Sequence, residues 1–360
     1  MKIGHYMSGL EHPGGVATYV RRLCEAQRHA GRDVVVVDQQ MLEQAEDLRL
    51  DVLHLHNSID PRCRAAVPMV RTMHGHWPYC PSGSRYLKRP GVACQRAYSL
   101  GGCLWGHVVN RCGSVRPARL AEDFRRTWKE MSQPREILTL AISDFVRQQM
   151  IRSGHCGQRI RVLHLPAPLV DLPELPESAP PTFLFLGRLV PEKGAAWLIR
   201  AFARVKSDAR LEIAGDGPER PALEALARSA GVADGVHFAG WLDVSAAMQH
   251  LQSARAAVMP SVWHEPAGLV TLEAAAMGKA AVVSCIGGIP EYASRLGNCR
   301  LVTPDDEAAL ASEIETLASD SALAGELGQT GRRNAQLYFG IDAHLAQLDQ
   351  AYRDAKELRQ

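Results

Sequence analysis

Two glutamates eight residues apart, Glu265 and Glu273, flank the stretch Pro266-Ala267-Gly268-Leu269-Val270-Thr271-Leu272. Carboxylates are suited to accepting hydrogen bonds from sugar and ribose hydroxyls. The first reads as a loop residue following a short strand, Ala256–Pro260. The second reads as lying about one turn inside the next helix. Pro266, Ala267 and Gly268 open that helix and leave its first N–H groups unpaired. Such a terminus binds phosphate through those donors and the helix dipole. Gly268 lets a ligand approach the backbone closely. Taken alone, two such acids are as well explained by the preference of the dipole for negative charge.

They do not stand alone. Upstream lie Phe183-Leu184-Phe185-Leu186-Gly187-Arg188-Leu189-Val190-Pro191-Glu192-Lys193-Gly194 and Ala214-Gly215-Asp216-Gly217-Pro218; downstream lies Gly287-Gly288-Ile289-Pro290-Glu291. In this order the set resembles the donor-binding domain of glycosyltransferase family 4, over residues 183–293 and more loosely over the N-terminal half. The resemblance implies the GT-B fold: α/β, with two Rossmann-like doubly wound domains facing a cleft. It implies a retaining transfer from a nucleoside-diphosphate sugar, UDP- or GDP-linked, with no cofactor and no metal required. The leaving diphosphate gains negative charge as the glycosidic bond breaks, and cations must stabilise it. Arg188, a planar fork, and Lys193, a point charge, would do so together with the amides at Gly268 and Leu269. Glu265 is the catalytic carboxylate of this scheme, and Glu273 holds the donor.

The N-terminal half adds further matches. Gly14-Gly15 looks like the family's glycine pair, close to the donor phosphate or the acceptor, although turns also use glycine. His74, in Thr72-Met73-His74-Gly75-His76, matches the family histidine that contacts the transferred sugar. Position 75 is Gly where the family has Asp, so a pairing with that acid does not carry over. His76 competes for the role, and His54 and His56 read as structural. Pro266-Ala267 stands where the family favours Gly and an aromatic, which bears on the shape of the sugar pocket.

These residues need loops at strand ends to hold them. Short β-rich runs alternate with helical patterns along the chain, implying parallel sheets covered on both faces. In such sheets ligands bind at the carboxyl ends of strands. Residues 166–182 hold six of the 21 prolines and read as a linker. The division expected is an acceptor-binding domain over 1–165, the linker over 166–182, a nucleotide-sugar-binding domain over 183–330, and one helix over 331–360 that returns to the N-terminal domain. Its apolar stripe is Leu337, Tyr338, Ile341, Leu345, Leu348 and Tyr352.

The bulk properties exclude other classes. The chain has 360 residues, 46% hydrophobic and 22% charged, which excludes disorder over most of the length. A net charge of +2 argues against nucleic acid as partner. The absence of a run long enough to span a bilayer and of a signal peptide leads to a cytoplasmic expectation. The P-loop, G-x-G-x-x-G, G-x-S-x-G and H-E-x-x-H motifs are absent.

One segment, about 76–126, departs from the domain pattern. Cys80, Cys94, Cys103 and Cys112 fall within it, spaced as four zinc-binding thiols could be but with no C-x-x-C pair. Residues 85–126 carry nine Lys/Arg against two acids. That excess suits peripheral contact with an anionic membrane at its inner face, or a pyrophosphate-linked acceptor. The function expected is transfer of a sugar to an acceptor hydroxyl, a saccharide or lipid-linked glycan, in bacterial polysaccharide synthesis. The competing readings are a metal-stapled module binding anionic lipid or nucleic acid, and another GT-B enzyme such as a nucleotide-sugar epimerase.

Overall fold

The computed structural model describes residues 1–12, 14–43, 47–57, 67–132, 137–168 and 176–358. Residues 169–175 of the expected linker lie outside them. The chain divides into two units: Met1–Arg85, Gln95–Leu165 and Ile341–Gln360 form the first, and Tyr86–Cys94 with Pro166–Gly340 the second.

The first unit is built on six parallel strands: β1 (Lys2–Tyr6), β2 (Asp33–Val37), β3 (Val52–His56), β4 (Met69–Met73), β7 (Leu138–Ala141) and β8 (Ile160–Val162). A short hairpin of β5 (Tyr86–Leu87) and β6 (Val92–Ala93) lies between β4 and β7 in sequence and belongs to the second unit. The order across the sheet is β2-β1-β3-β4-β7-β8. Its reversal lies between β1 and β3, so the carboxyl ends of these strands form the ligand-binding edge. Strands β3 and β7 are buried at every residue, as the centre of a two-face-covered parallel sheet requires. The helix Gly15–His29 buries Ala17, Tyr19, Val20, Leu23, Cys24 and Gln27, an i, i+3, i+4, i+7 stripe.

The second unit repeats the plan with β9 (Thr182–Leu186), β10 (Arg210–Ala214), β11 (Val236–Gly240), β12 (Ala256–Met259), β13 (Ala280–Ser284) and β14 (Cys299–Val302). Their order, β11-β10-β9-β12-β13-β14, is that of a doubly wound dinucleotide-type sheet. Successive residues of a strand enter opposite cores: Phe183 and Phe185 join Trp197 and Leu198 on one face, while Leu184 joins Met259 and Val283 on the other.

The C-terminal segment differs from the single helix expected over 331–360. Helix Ser321–Tyr338 ends before Gly340, and a separate helix spans Ile341–Glu357. Leu337 and Tyr338 are exposed at 67% and 53%, so they are not part of a buried stripe. Leu345, Leu348 and Tyr352 are buried in the first unit, where the last helix packs on β3, β4 and β7. Lys356 pairs with Asp51 at 2.8 Å, and Arg32 with Asp349.

Candidate functional site

Glu265 is 6% exposed, at the carboxyl end of β12. One of its oxygens, Oε1, accepts from Lys193 Nζ at 2.5 Å, Ser261 Oγ at 2.7 Å and Trp263 Nε1 at 2.9 Å. The Lys193 ammonium also lies 5.4 Å from the Trp263 ring centre. Burial works to raise the Glu265 carboxyl. The Lys193 charge and the three donors outweigh it and hold the group below its ordinary value. Glu265 is thus a fixed anion, and Lys193 is already engaged rather than a free cation.

The backbone around this carboxylate is held by glycines. Gly287, at φ +65°, packs so closely that a Cβ there would lie 2.3 Å from the Glu265 carbonyl oxygen. Gly288 N donates to that oxygen at 2.7 Å. Gly194, at φ +73°, would place a Cβ 1.9 Å from Pro260 O, which ties the loop carrying Lys193 to the end of β12. These contacts explain the glycines of the Gly194 and Gly287-Gly288 segments without any ligand.

Gly268 begins the helix Leu269–Ala276 at φ +80°, the left-handed region that favours glycine. A Cβ there would sit 2.9 Å from Met259 Cε and 3.0 Å from Ile289 Cγ1. The Cβ side of Gly268 is therefore filled by protein, which with its left-handed backbone accounts for a glycine at this position. Leu269 is half-buried, and Glu273, half-buried, lies inside the same helix. Arg188 is exposed, and its guanidinium makes no hydrogen bond or ion pair among the described residues.

The first unit holds the other residues singled out. Gly14 is exposed, with nothing within 4 Å of where a Cβ would stand, and Gly15 opens the helix behind it. His74 follows β4 and is 7% exposed. Its backbone N–H donates to Asn57 Oδ1 at 3.0 Å, and its ring lies 5.0 Å from that of Tyr19. Burial and the neighbouring His344 lower its pKa to about 3, so the ring is neutral at physiological pH. His76 is 1% exposed, and Tyr79 OH is bonded to its Nδ1 at 2.5 Å.

Sequence reasoning missed the surroundings of both anchors. Ser261 and Trp263 carried no motif. His56, set aside as structural, bonds to His74 Nε2 at 3.1 Å and to His5 at 3.1 Å. The alternation of His54 and His56 on β3 was the available signal.

The four thiols of the 76–126 segment do not assemble. Cys80, Cys94, Cys103 and Cys112 are not grouped as metal ligands; among the described residues the group spaced for a metal ion is His5, His54 and His56. The segment instead packs by other means: Arg126 lies over the Trp77 ring at 4.0 Å, and Arg85 donates to Gln149 at 2.9 Å. Several of its cations are thereby occupied, whereas Arg111 and Arg116 are exposed. Helix Leu100–Val108 has no acidic or Lys/Arg residue and exposes Leu100, Leu104, Trp105 and Val108.

Residues 180–320 match the family model described as glycosyl transferases group 1. The uncharacterized glycosyltransferase MJ1607 of Methanocaldococcus jannaschii is 32% identical over 177 residues, covering 49% of this chain and 45% of that protein. The lipopolysaccharide core biosynthesis glycosyltransferase LpsD of Rhizobium meliloti is 34% identical over 168 residues, covering 46% and 48%. The matches thus span about half the length of these relatives. The structure of Anabaena HepE in complex with UDP and glucose superposes with a TM-score of 0.71 at 16% identity, covering 98% of this chain and 100% of that one.

Proposed function

We propose that this chain, a GT-B protein of the glycosyltransferase family 4 type, transfers a sugar with retention from a nucleoside-diphosphate donor to an acceptor hydroxyl. The observation that carries the reading is the Lys193–Glu265 anchor, tied to the Gly287-Gly288 loop, within the residues that match the family model. The nucleotide and glucose bound to HepE support a nucleotide-sugar donor.

The second unit takes the donor. Its diphosphate meets the amides at Gly268 and Leu269 and the exposed Arg188, while Lys193 spends one donor on Glu265 and has others to offer. Arg188 supplies the charge that the neutralised Lys193–Glu265 pair does not. Glu273 receives hydroxyls of the donor. In the first unit, neutral His74 faces the transferred sugar, and Gly14-Gly15 leaves room for phosphate or acceptor. Acceptor attack on the face the diphosphate leaves gives retention through an oxocarbenium-like transition state. The departing phosphate oxygen takes the acceptor proton, and no metal or cofactor enters.

The acceptor is a glycan carried on a lipid, in bacterial surface-polysaccharide synthesis, a setting that LpsD supports by its printed role. An anionic bilayer suits the exposed Leu100, Leu104, Trp105 and Val108 with Arg111 and Arg116 nearby in sequence. Among the described residues no helix is long and apolar enough to cross a membrane, so the contact is peripheral.

A thermal-shift panel of UDP- and GDP-sugars tests the donor, since a ligand of the native state raises stability by RT ln(1 + [L]/Kd). One nucleotide sugar should stand out, and Glu273→Ala should lose both that shift and transfer. Unchanged binding and transfer in Glu273→Ala would overturn the proposal.

A further inference from the structure

We infer that Gln27, His5 and His56 form a hydrogen-bonded relay that sets which ring nitrogen of His74 carries the proton, leaving Nδ1 as a bare acceptor at the end of β4. The consequence for substrate rests on the sugar-facing role proposed for His74. A bare Nδ1 accepts from a hydroxyl and repels a carboxylate or phosphate oxygen, so the group it selects is a sugar hydroxyl.

Gln27 Oε1 can only accept, so the 2.7 Å bond to His5 is donated by His5 Nε2. A neutral imidazole has one N–H, so His5 Nδ1 accepts, and the 3.1 Å bond there is donated by His56 Nε2. His56 Nδ1 then accepts in turn, and the next 3.1 Å bond is donated by His74 Nε2. His74 Nδ1 is left without a proton; it makes no hydrogen bond among the described residues and is not sealed from solvent.

A second branch starts from the other end of the Gln27 amide, so the amide orientation sets the direction of both. Gln27 Nε2 donates to Tyr352 OH at 3.1 Å. The phenol donates to His54 Nδ1 at 2.8 Å, and His54 Nε2 donates to Thr72 Oγ1 at 2.7 Å. Turning the amide over would reverse every bond of both branches together, so the tautomers are coupled.

Two properties favour a relay over the alternative use of these rings. His5, His54 and His56 bring ligand atoms within 4.8 Å of one another, close enough for a metal ion. Yet all six of their ring nitrogens are already hydrogen-bonded, and an ion would have to break those bonds. The rings are also neutral, as a tautomer chain requires: burial lowers His5 to about 4 and depresses His54 and His56 well below the ordinary value.

The test is long-range ¹H–¹⁵N correlation of the histidine rings in the full chain at neutral pH without nucleotide. The expected result is a protonated Nε2 and a bare Nδ1 on His5, His56 and His74 alike, with His74 becoming a mixture of tautomers in Gln27→Met. A proton on Nδ1 of any of the three in the wild type would overturn the relay. So would a His74 tautomer unchanged in Gln27→Met. Should that variant fail to fold, the wild-type spectrum still decides. Because no nucleotide is present, failure of donor binding leaves this readout untouched. Where transfer is measurable, Gln27→Met should lower kcat per folded active site, with the folded fraction counted by unfolding, while KM for the donor holds.

Discussion

At the scale of single residues, the pairing of Lys193 with Glu265 is the best-defined feature of the second unit. Both partners are largely buried, with side-chain exposures of 21% and 8%. Removing the cation in Lys193→Met leaves a buried carboxylate with two hydrogen bonds and no counter-charge, a loss of about 3–5 kcal/mol. The folded state holds Glu265 below its unfolded pKa, so its contribution is complete above the ordinary glutamate value and is lost as pH falls through the depressed one. In the variant that contribution is missing. Denaturant unfolding should therefore show the gap between wild type and variant widest near neutrality and narrowing on acidification. A gap independent of pH would contradict the assignment. The sequence made Glu265 and Lys193 visible through their motifs, because chemistry restricts residue type at such places. It did not reveal that they pair, nor that Ser261, Trp263, His5 and Gln27 complete the two clusters. Those partners come from contacts whose identity depends on where loops close in space.

At the scale of elements, glycines decide how the loops meet. Gly287→Ala forces a Cβ to 2.3 Å from a backbone oxygen at φ +65°, so the Glu265 loop must shift. The expected effect is about 1–3 kcal/mol of lost stability together with weakened donor binding. Gly14→Ala is the control: its Cβ meets nothing within 4 Å and its backbone is extended, so the melting temperature should hold. A Gly287→Ala protein as stable as wild type would refute the packing described here. Central strands were legible, since fully buried parallel strands read as short apolar runs; β12 ends within a residue of the expected Ala256–Pro260. The short strand β14 and the hairpin of β5 and β6 were not, because Cys299–Val302 is half-exposed and two-residue strands have no period. The run over 331–360 read as one helix because helical spacing continues through it. Gly340 interrupts the hydrogen bonding and lets Ile341–Glu357 join a different core from Ser321–Tyr338.

At the scale of the molecule, each unit presents strand ends of one parallel sheet, and the chain crosses from the second unit back to the first through its last helix. The proposed lipid contact belongs to this scale. Vesicles containing anionic lipid should sediment the protein, and Leu104→Ser with Trp105→Ser should reduce that binding while thermal stability holds, because both side chains are exposed. Equal sedimentation of variant and wild type would remove the bilayer from the account. The charge of a split nucleotide sugar is placed by a crystal structure with the nucleoside diphosphate of the donor that stands out in the thermal-shift panel. The pyrophosphate should lie against the amides of Gly268 and Leu269, within reach of Arg188 and with Lys193 still bonded to Glu265. A pyrophosphate bound away from these groups would contradict this placement.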